Sequence, residues 1–294
     1  MKKRIYALGA LVILLLSAFL FLRPKDSANP DPRPRQITFG QRSELDTALL
    51  EQGVVEVRYT GAAGAKLKVQ ITQPDGALYN YDLNSGGNWE TFPLTQGDGA
   101  YTLSLLEHKE GDRYTIRDTY PLELTLADPM APFLRPNQIV NYANGPALTL
   151  AADLTRSQTS EAQKVATLFD YVVDHVAYDY EKSASAQPGY LPSVEDTLDS
   201  GRGICFDYDA LLCAMVRSQG IPCRLVTGYT NDGELYHAWV EVYCRDSDTV
   251  DGAIPITANT WSRLDPTFVS NSNRSSKILE FVTDDENYEA LYFY

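Results

Sequence analysis

From Gln36 to about Ala127 apolar and polar residues alternate in short runs: VVEVRY at 54–59, KLKVQIT at 66–72, ALYNYDL at 77–83, YTLSLL at 101–106 and RYTIRDTYPLELTL at 113–126. A period of two is that of a strand with one buried face. Turn signals separate the runs at Pro74-Asp75-Gly76, Ser85-Gly86-Gly87 and Gly97-Asp98-Gly99. Helical periodicity is lacking here, so residues 36–127 are expected to form a small β-sandwich of immunoglobulin-like type. His108 lies in LEHKEGD, the composition of a solvated hairpin tip. No group of catalytic side chains occurs in this part.

A Pro-rich junction, DPMAPFLRP at 128–136, ends that texture. Ser160 and Gln163 then have capping-box spacing, and Val165, Leu168, Phe169, Val172 and Val176 recur at helical intervals, which predicts a helix over 160–176. His175 falls in its last turn, where a cation suits the helix dipole. Ser193 opens a shorter helix that Gly201 can close. Leu211, Leu212, Met215 and Val216 mark another that begins at Cys205 and ends before Gly220. Runs at 223–229 and 237–244, separated by a polar turn, read as an antiparallel hairpin, with WSRLDPTF at 261–268 as a third extended run. Residues 128–294 are therefore expected to form an α+β domain.

The N-terminus has yet another pattern. Lys2, Lys3 and Arg4 precede a run from Ile5 to Leu22 without a charged residue. That is an export signal about as long as a membrane span, and the positive-inside rule would place the rest of the chain outside. Cleavage after Ala28 would put Asp26 at the third position back, so an uncleaved anchor over 1–22 is favoured over a cleaved signal peptide. RPKDSANPDPRPR at 23–35 reads as an extended spacer. With 44% hydrophobic and 22% charged residues the chain is globular in composition. Its net charge of −14, from 25 Lys and Arg against 39 Asp and Glu, argues against nucleic-acid binding.

Chemistry concentrates in the second part. Cys205 begins a helix, where unpaired N–H groups stabilise a thiolate and can also face a developing oxyanion. His237 begins a strand expected beside the strand that follows the Cys205 helix, within reach of the thiol as a general base. Asp265 can hold the imidazole in one tautomer. Each residue alone has a bland reading, as a buried thiol, a satisfied strand residue and a turn former. Their order and contexts favour a nucleophile, a base and an orienting acid.

GICFDYDALLCAMVRSQGIPCRLVTGY, YHAWVEVY and W-x-x-L-D-P-T-F resemble the Cys, His and Asp blocks of the transglutaminase-like superfamily, which shares the papain-type thiol fold. The resemblance covers about Pro132 to the C-terminus. It implies Cys205 as nucleophile, His237 as base and Asp265 as orienting acid, with Tyr190, in the upstream Gly-Tyr-Leu-Pro stretch, as an oxyanion-hole candidate. Tyr229, Trp239 and Trp261 fall within the matching blocks as candidate cleft walls. The expected protein is an exported enzyme acting through a thioester on amide bonds of proteins or peptides, cell-wall peptide included, as protease, deamidase or transglutaminase. The alternative is a non-catalytic surface module that retains the fold.

No cofactor or metal is expected. Asp246, Asp248, Asp251 and Gly252 resemble a calcium loop with one residue too many and read better as a polar hairpin loop, and no Cys-x-x-Cys pair suggests zinc. An exported location permits a disulfide, Cys223 with Cys244 across the hairpin or Cys213 with Cys223, although burial as inert thiols is the default.

Overall fold

The computed structural model describes residues 34–143, 145–230 and 233–294. The apolar segment 1–22 and nearly all of the spacer 23–35 lie outside the described residues. Among the described residues no helix is long and apolar enough to cross a membrane.

The first part holds strands β1 (Ile37–Phe39), β2 (Ser43–Asp46), β3 (Val54–Tyr59), β4 (Leu67–Thr72), β5 (Leu78–Leu83), β6 (Glu90–Pro93), β7 (Gly99–Glu110) and β8 (Arg113–Leu124). They form two four-stranded antiparallel sheets, ordered β1-β2-β3-β6 and β5-β4-β7-β8. Alternation makes the sandwich. Val55, Val57 and Tyr59 of one sheet, and Val69, Ile71, Tyr79, Tyr81, Leu103 and Leu105 of the other, are all buried in one core, each aliphatic chain contributing about 1.5–3 kcal/mol. The Tyr81 and Phe92 rings meet edge to face across the two sheets at 5.3 Å.

A polar clamp adds to this packing. The buried Asp118 carboxylate of β8 accepts from the backbone N–H groups of Gln41 and Arg42 at 2.6 and 2.9 Å and from Ser43 Oγ at 2.8 Å, while the Tyr120 hydroxyl donates to the Ser43 carbonyl at 3.0 Å. Charge-assisted bonds to a buried acceptor are worth more than neutral ones.

The second part contains helices α1 (Pro146–Leu154), α2 (Glu161–His175), α3 (Tyr180–Ser185), α4 (Val194–Ser200) and α5 (Cys205–Ser218), with the short parallel strands β9 (Ala177–Tyr178) and β10 (Arg202–Gly203) between them. Strands β11 (Cys223–Thr230), β12 (Leu235–Tyr243), β13 (Asp248–Val250), β14 (Ile254–Ile256) and β15 (Trp261–Leu264) follow, then α6 (Pro266–Asn271), α7 (Ser276–Thr283) and β16 (Tyr288–Phe293). An antiparallel sheet ordered β15-β12-β11-β16 packs on α5. Helix α5 is apolar all round from Ala210 to Val216 because α1, α2 and α4 cover its other sides. Its one buried cation, Arg217, donates to the carbonyls of Cys223, Arg135 and Tyr294, tying junction, β11 and β16 together.

Strand β16 also meets the sandwich. Thr95 Oγ1 donates to the Phe293 carbonyl at 3.0 Å, Phe293 N–H donates to the Tyr79 hydroxyl at 3.2 Å, and the Tyr79 and Tyr292 rings are 4.9 Å apart. Gly228 on β11 permits the close pairing. A Cβ there would lie 2.0 Å from the Glu289 carbonyl oxygen.

The structure changes one expectation, decides between two alternatives and refines a third. Residues 261–268 are a strand only to Leu264. Asp265 then N-caps α6 with Pro266 at the first helical position, a pairing that favours helix initiation. Cys223 stands opposite Val242, not Cys244, so the hairpin register does not bridge that pair, and the four thiols are free. The Asp246 to Gly252 segment includes a hairpin tip, as expected. Asp246, however, serves α2, accepting from the N–H groups of Glu161 and Ala162 at 3.0 and 2.7 Å. Asp118→Ala leaves the N–H groups of Gln41 and Arg42 unpaired. It should lower stability by about 2–4 kcal/mol, read in urea as a lower midpoint at unchanged slope.

Candidate active site

Cys205 stands at the first position of α5, half-buried, with its N–H lacking an acceptor among the described residues as helix geometry requires. The other three thiols are buried, and burial pushes Cys244 up to about 12. The helix start is held by Asp207, a fully buried carboxylate. It accepts from the Ile204 N–H at 2.9 Å, from Lys182 Nζ at 3.0 Å and from the Tyr190 hydroxyl at 2.5 Å. One side chain thus positions the thiol, α3 and the loop before α4.

His237 projects from β12, opposite Gly228 of β11. Its ring stacks on Phe268 at 4.3 Å, with planes 7° apart, and Nε2 donates to Asp265 Oδ2 at 2.8 Å. Burial by itself would favour the neutral imidazole. The Asp265 charge and hydrogen bond, aided by the neighbouring Cys205 thiol, outweigh it and raise the His237 pKa well above its ordinary value. The three residues separated in sequence therefore meet at one place: thiol, imidazole and carboxylate in that order.

Asp265 is fully buried and saturated with donors. Oδ1 accepts from the Phe268 N–H at 2.9 Å as the cap of α6, and Oδ2 accepts from the Tyr288 hydroxyl at 2.9 Å as well as from His237. A second buried acid, Asp209, lies one helical turn past Cys205 on the same face. Burial first, then the neighbouring Asp265 and Cys205 charges, raise its pKa well above the carboxylate range and hold it neutral.

The thiol opens into a cleft of about 760 Å³ lined by Tyr178, Tyr180, Tyr236, His237 and Phe268, with Lys68, Asn80 and Asp82 of the sandwich on another side. Tyr190 also lines it. Its two donors are engaged, however: the hydroxyl with Asp207 and the N–H with the Gln187 carbonyl at 3.0 Å. Neither is free for an oxyanion.

Tyr229, Trp239 and Trp261 do not line the cleft. Trp239 is buried against Tyr288 at 5.0 Å, Trp261 holds the Arg224 guanidinium at 4.3 Å, and Tyr229 packs on Tyr236. Only Trp239 goes into the core; Trp261 is half-buried and Tyr229 is exposed. Sequence reasoning missed Tyr178, Tyr180 and Tyr236, although Tyr236 adjoins His237, and missed Tyr288, which carries no local signal. His175 stacks on Tyr171 and bonds its carbonyl, while His108 bonds the Gly111 carbonyl at the β7–β8 turn, so neither joins the site. Among the described residues no cluster of side chains could hold a metal ion.

An α+β domain with a thiol at a helix start and an imidazole–carboxylate pair beside it defines a class. Residues 148–266 match the family model of the transglutaminase-like superfamily, and the chain carries a domain of that superfamily. The chain is 27% identical over 181 residues to the uncharacterized protein YebA of Bacillus subtilis strain 168, covering 53% of this chain and 22% of YebA. It is 24% identical over 159 residues to the kyphoscoliosis peptidase of Mus musculus, covering 48% of this chain and 24% of that one. The matched part thus spans about a quarter or less of each curated relative. Among solved structures, a candidate cysteine protease from Cytophaga hutchinsonii aligns over 89% of this chain and 91% of its own, at 15% identity and a TM-score of 0.40. A red sea bream transglutaminase aligns over 73% and 48%, at 16% identity and a TM-score of 0.30.

Asp207→Ala should strand Lys182 and release the helix start, lowering stability by about 3–5 kcal/mol in denaturant unfolding.

Proposed function

We propose that the protein is a thiol enzyme that cleaves amide bonds of proteins or peptides, with Cys205 as nucleophile, His237 as proton carrier and Asp265 as the group that orients His237. The observation that carries this reading is the short Asp265–His237 bond beside a half-exposed thiol at the start of α5, all opening on one cleft. A raised imidazole proton affinity favours the thiolate–imidazolium pair over two neutral groups.

The thiolate attacks the amide carbonyl carbon, and the electron pair of the C=O bond moves to oxygen. The Cys205 N–H, unpaired at the helix start, faces that charge. His237 passes its proton to the nitrogen, the C–N bond breaks, an amine leaves and a thioester remains. Water, giving up a proton to His237, then attacks the thioester carbonyl; the C–S bond breaks, the Cys205 thiolate is released beside the protonated His237 and a carboxylic acid leaves, while an amine in place of water yields a new amide. The two outcomes separate hydrolase and deamidase from transferase. The apolar run from Ile5 to Leu22 supports export, which would bring surface proteins and cell-wall peptide within reach of the site.

Alkylation by iodoacetamide across pH tests the reading. At pH 6, Cys205 should be alkylated at least about 10-fold faster in the wild type than in His237→Ala. Equal rates in the two proteins would instead identify a non-catalytic module. Mass spectrometry of surface proteins exposed to the wild type and to Cys205→Ala then distinguishes the reactions, through new termini, Gln-to-Glu conversion or new crosslinks.

A further inference from the structure

Tyr288 reaches the site from an unexpected side. It opens β16, at one edge of the sheet, yet its hydroxyl meets Asp265 at the end of β15, the opposite edge. To get there the side chain passes over Trp239 of β12, the rings 5.0 Å apart and inclined by 70°, and it carries the Arg263 guanidinium 4.0 Å above its own ring. Both contacts hold the ring, and the hydroxyl arrives at the same carboxylate oxygen that accepts from His237. Burial, followed by the Asp265 charge and hydrogen bond, pushes the Tyr288 pKa far above the ordinary phenol value, so the hydroxyl keeps its proton and acts as a donor.

We propose that Tyr288 is a positioning residue for the reaction: its hydroxyl locks the Asp265 carboxylate in the rotamer that orients His237 and draws off part of the negative charge that His237 would otherwise feel. This rests on the catalytic reading of Cys205, His237 and Asp265. It assigns β16 a function beyond completing the sheet, since this strand is also bonded to the sandwich through Thr95 and Tyr79.

The charge effect has a distinctive sign. A neutral donor on Oδ2 competes with the imidazolium for the same lone-pair density, so Tyr288 lowers the proton affinity that His237 would have beside an otherwise identical carboxylate. Removing the hydroxyl stabilises the imidazolium wherever it exists. Formation of the thiolate beside an already protonated His237 leaves the imidazolium on both sides of the equilibrium and is little affected. Loss of the imidazolium proton moves upward. The titratable groups around His237 are Cys205 and Asp209 from α5 and Asp265 at the α6 cap, with Tyr288 from β16 bonded to Asp265, Arg263 behind Tyr288 and Tyr236 of β12 beside Cys205; Asp209 is held neutral by burial. Asp265 is thus the anion whose strength Tyr288 sets.

The test is an NMR titration of the His237 imidazole in the full chain, which has three His in all. Loss of a signal in His237→Ala assigns it. In Tyr288→Phe, which keeps the ring against Trp239, the midpoint should rise by about one pH unit, the equivalent of one hydrogen bond to a charged group, while the onset of Cys205 alkylation stays in place. Fluorotyrosine at 288, a stronger donor of nearly the same shape, should move the midpoint down, and it serves where the Phe variant does not fold. An unchanged midpoint in Tyr288→Phe with only a lower melting temperature, or a downward shift, overturns the proposal and leaves the triad intact. If wild-type His237 titrates as an ordinary imidazole, indifferent to Cys205→Ala, the triad reading fails and the role of Tyr288 fails with it.

Discussion

A carboxylate with no solvent contact is the constraint around which the site is arranged. Leaving the charge of Asp265 unpaired in the interior would cost several kcal/mol, so the fold must surround it with donors. It does so from three directions: the N-terminus of α6, the imidazole on β12 and the phenol on β16. The same saturation that makes the burial tolerable leaves the carboxylate one orientation. His237, stacked beneath Phe268, inherits that orientation. Preorganisation of the ring and solvation of the acid are one and the same set of contacts.

The thiol is placed by a separate device. Asp207 joins the first turn of α5 to Lys182 and Tyr190, so the local structure around Cys205 is fixed from below and from the loop side. The apolar body of α5 is enclosed by helices on one side and the sheet on the other, and Arg217 donates its guanidinium to three carbonyls from separate parts of the chain. The two devices meet through the packing of α5 on β12. Neither requires a ligand to be formed.

Much of this is legible in the sequence where the signals are local. Helices α2 and α5 follow from the spacing of their apolar residues, the sandwich strands from alternation, and the convergence of Cys205, His237 and Asp265 from the order of their blocks. Asp265 was legible as an acid near the thiol but not as a helix cap, although Asp followed by Pro is the pairing that begins α6. The aromatic residues were misplaced for a different reason. A strand such as β12, covered on both faces, gives no sign of which face meets a cleft, and Trp239 went inward. Tyr288 depends on the pairing of β16 with β11 and on a side chain that crosses the sheet, and no short-range pattern encodes either.

The cleft draws its reacting groups from one stretch of chain and part of its wall from another, because Lys68, Asn80 and Asp82 come from β4 and β5 of the sandwich. Substitutions along those two strands can therefore reshape that wall while the Asp265–His237 contact stays untouched. Under the proposed function, divergent paralogues built on this plan would conserve how a bond is opened and vary whose bond it is.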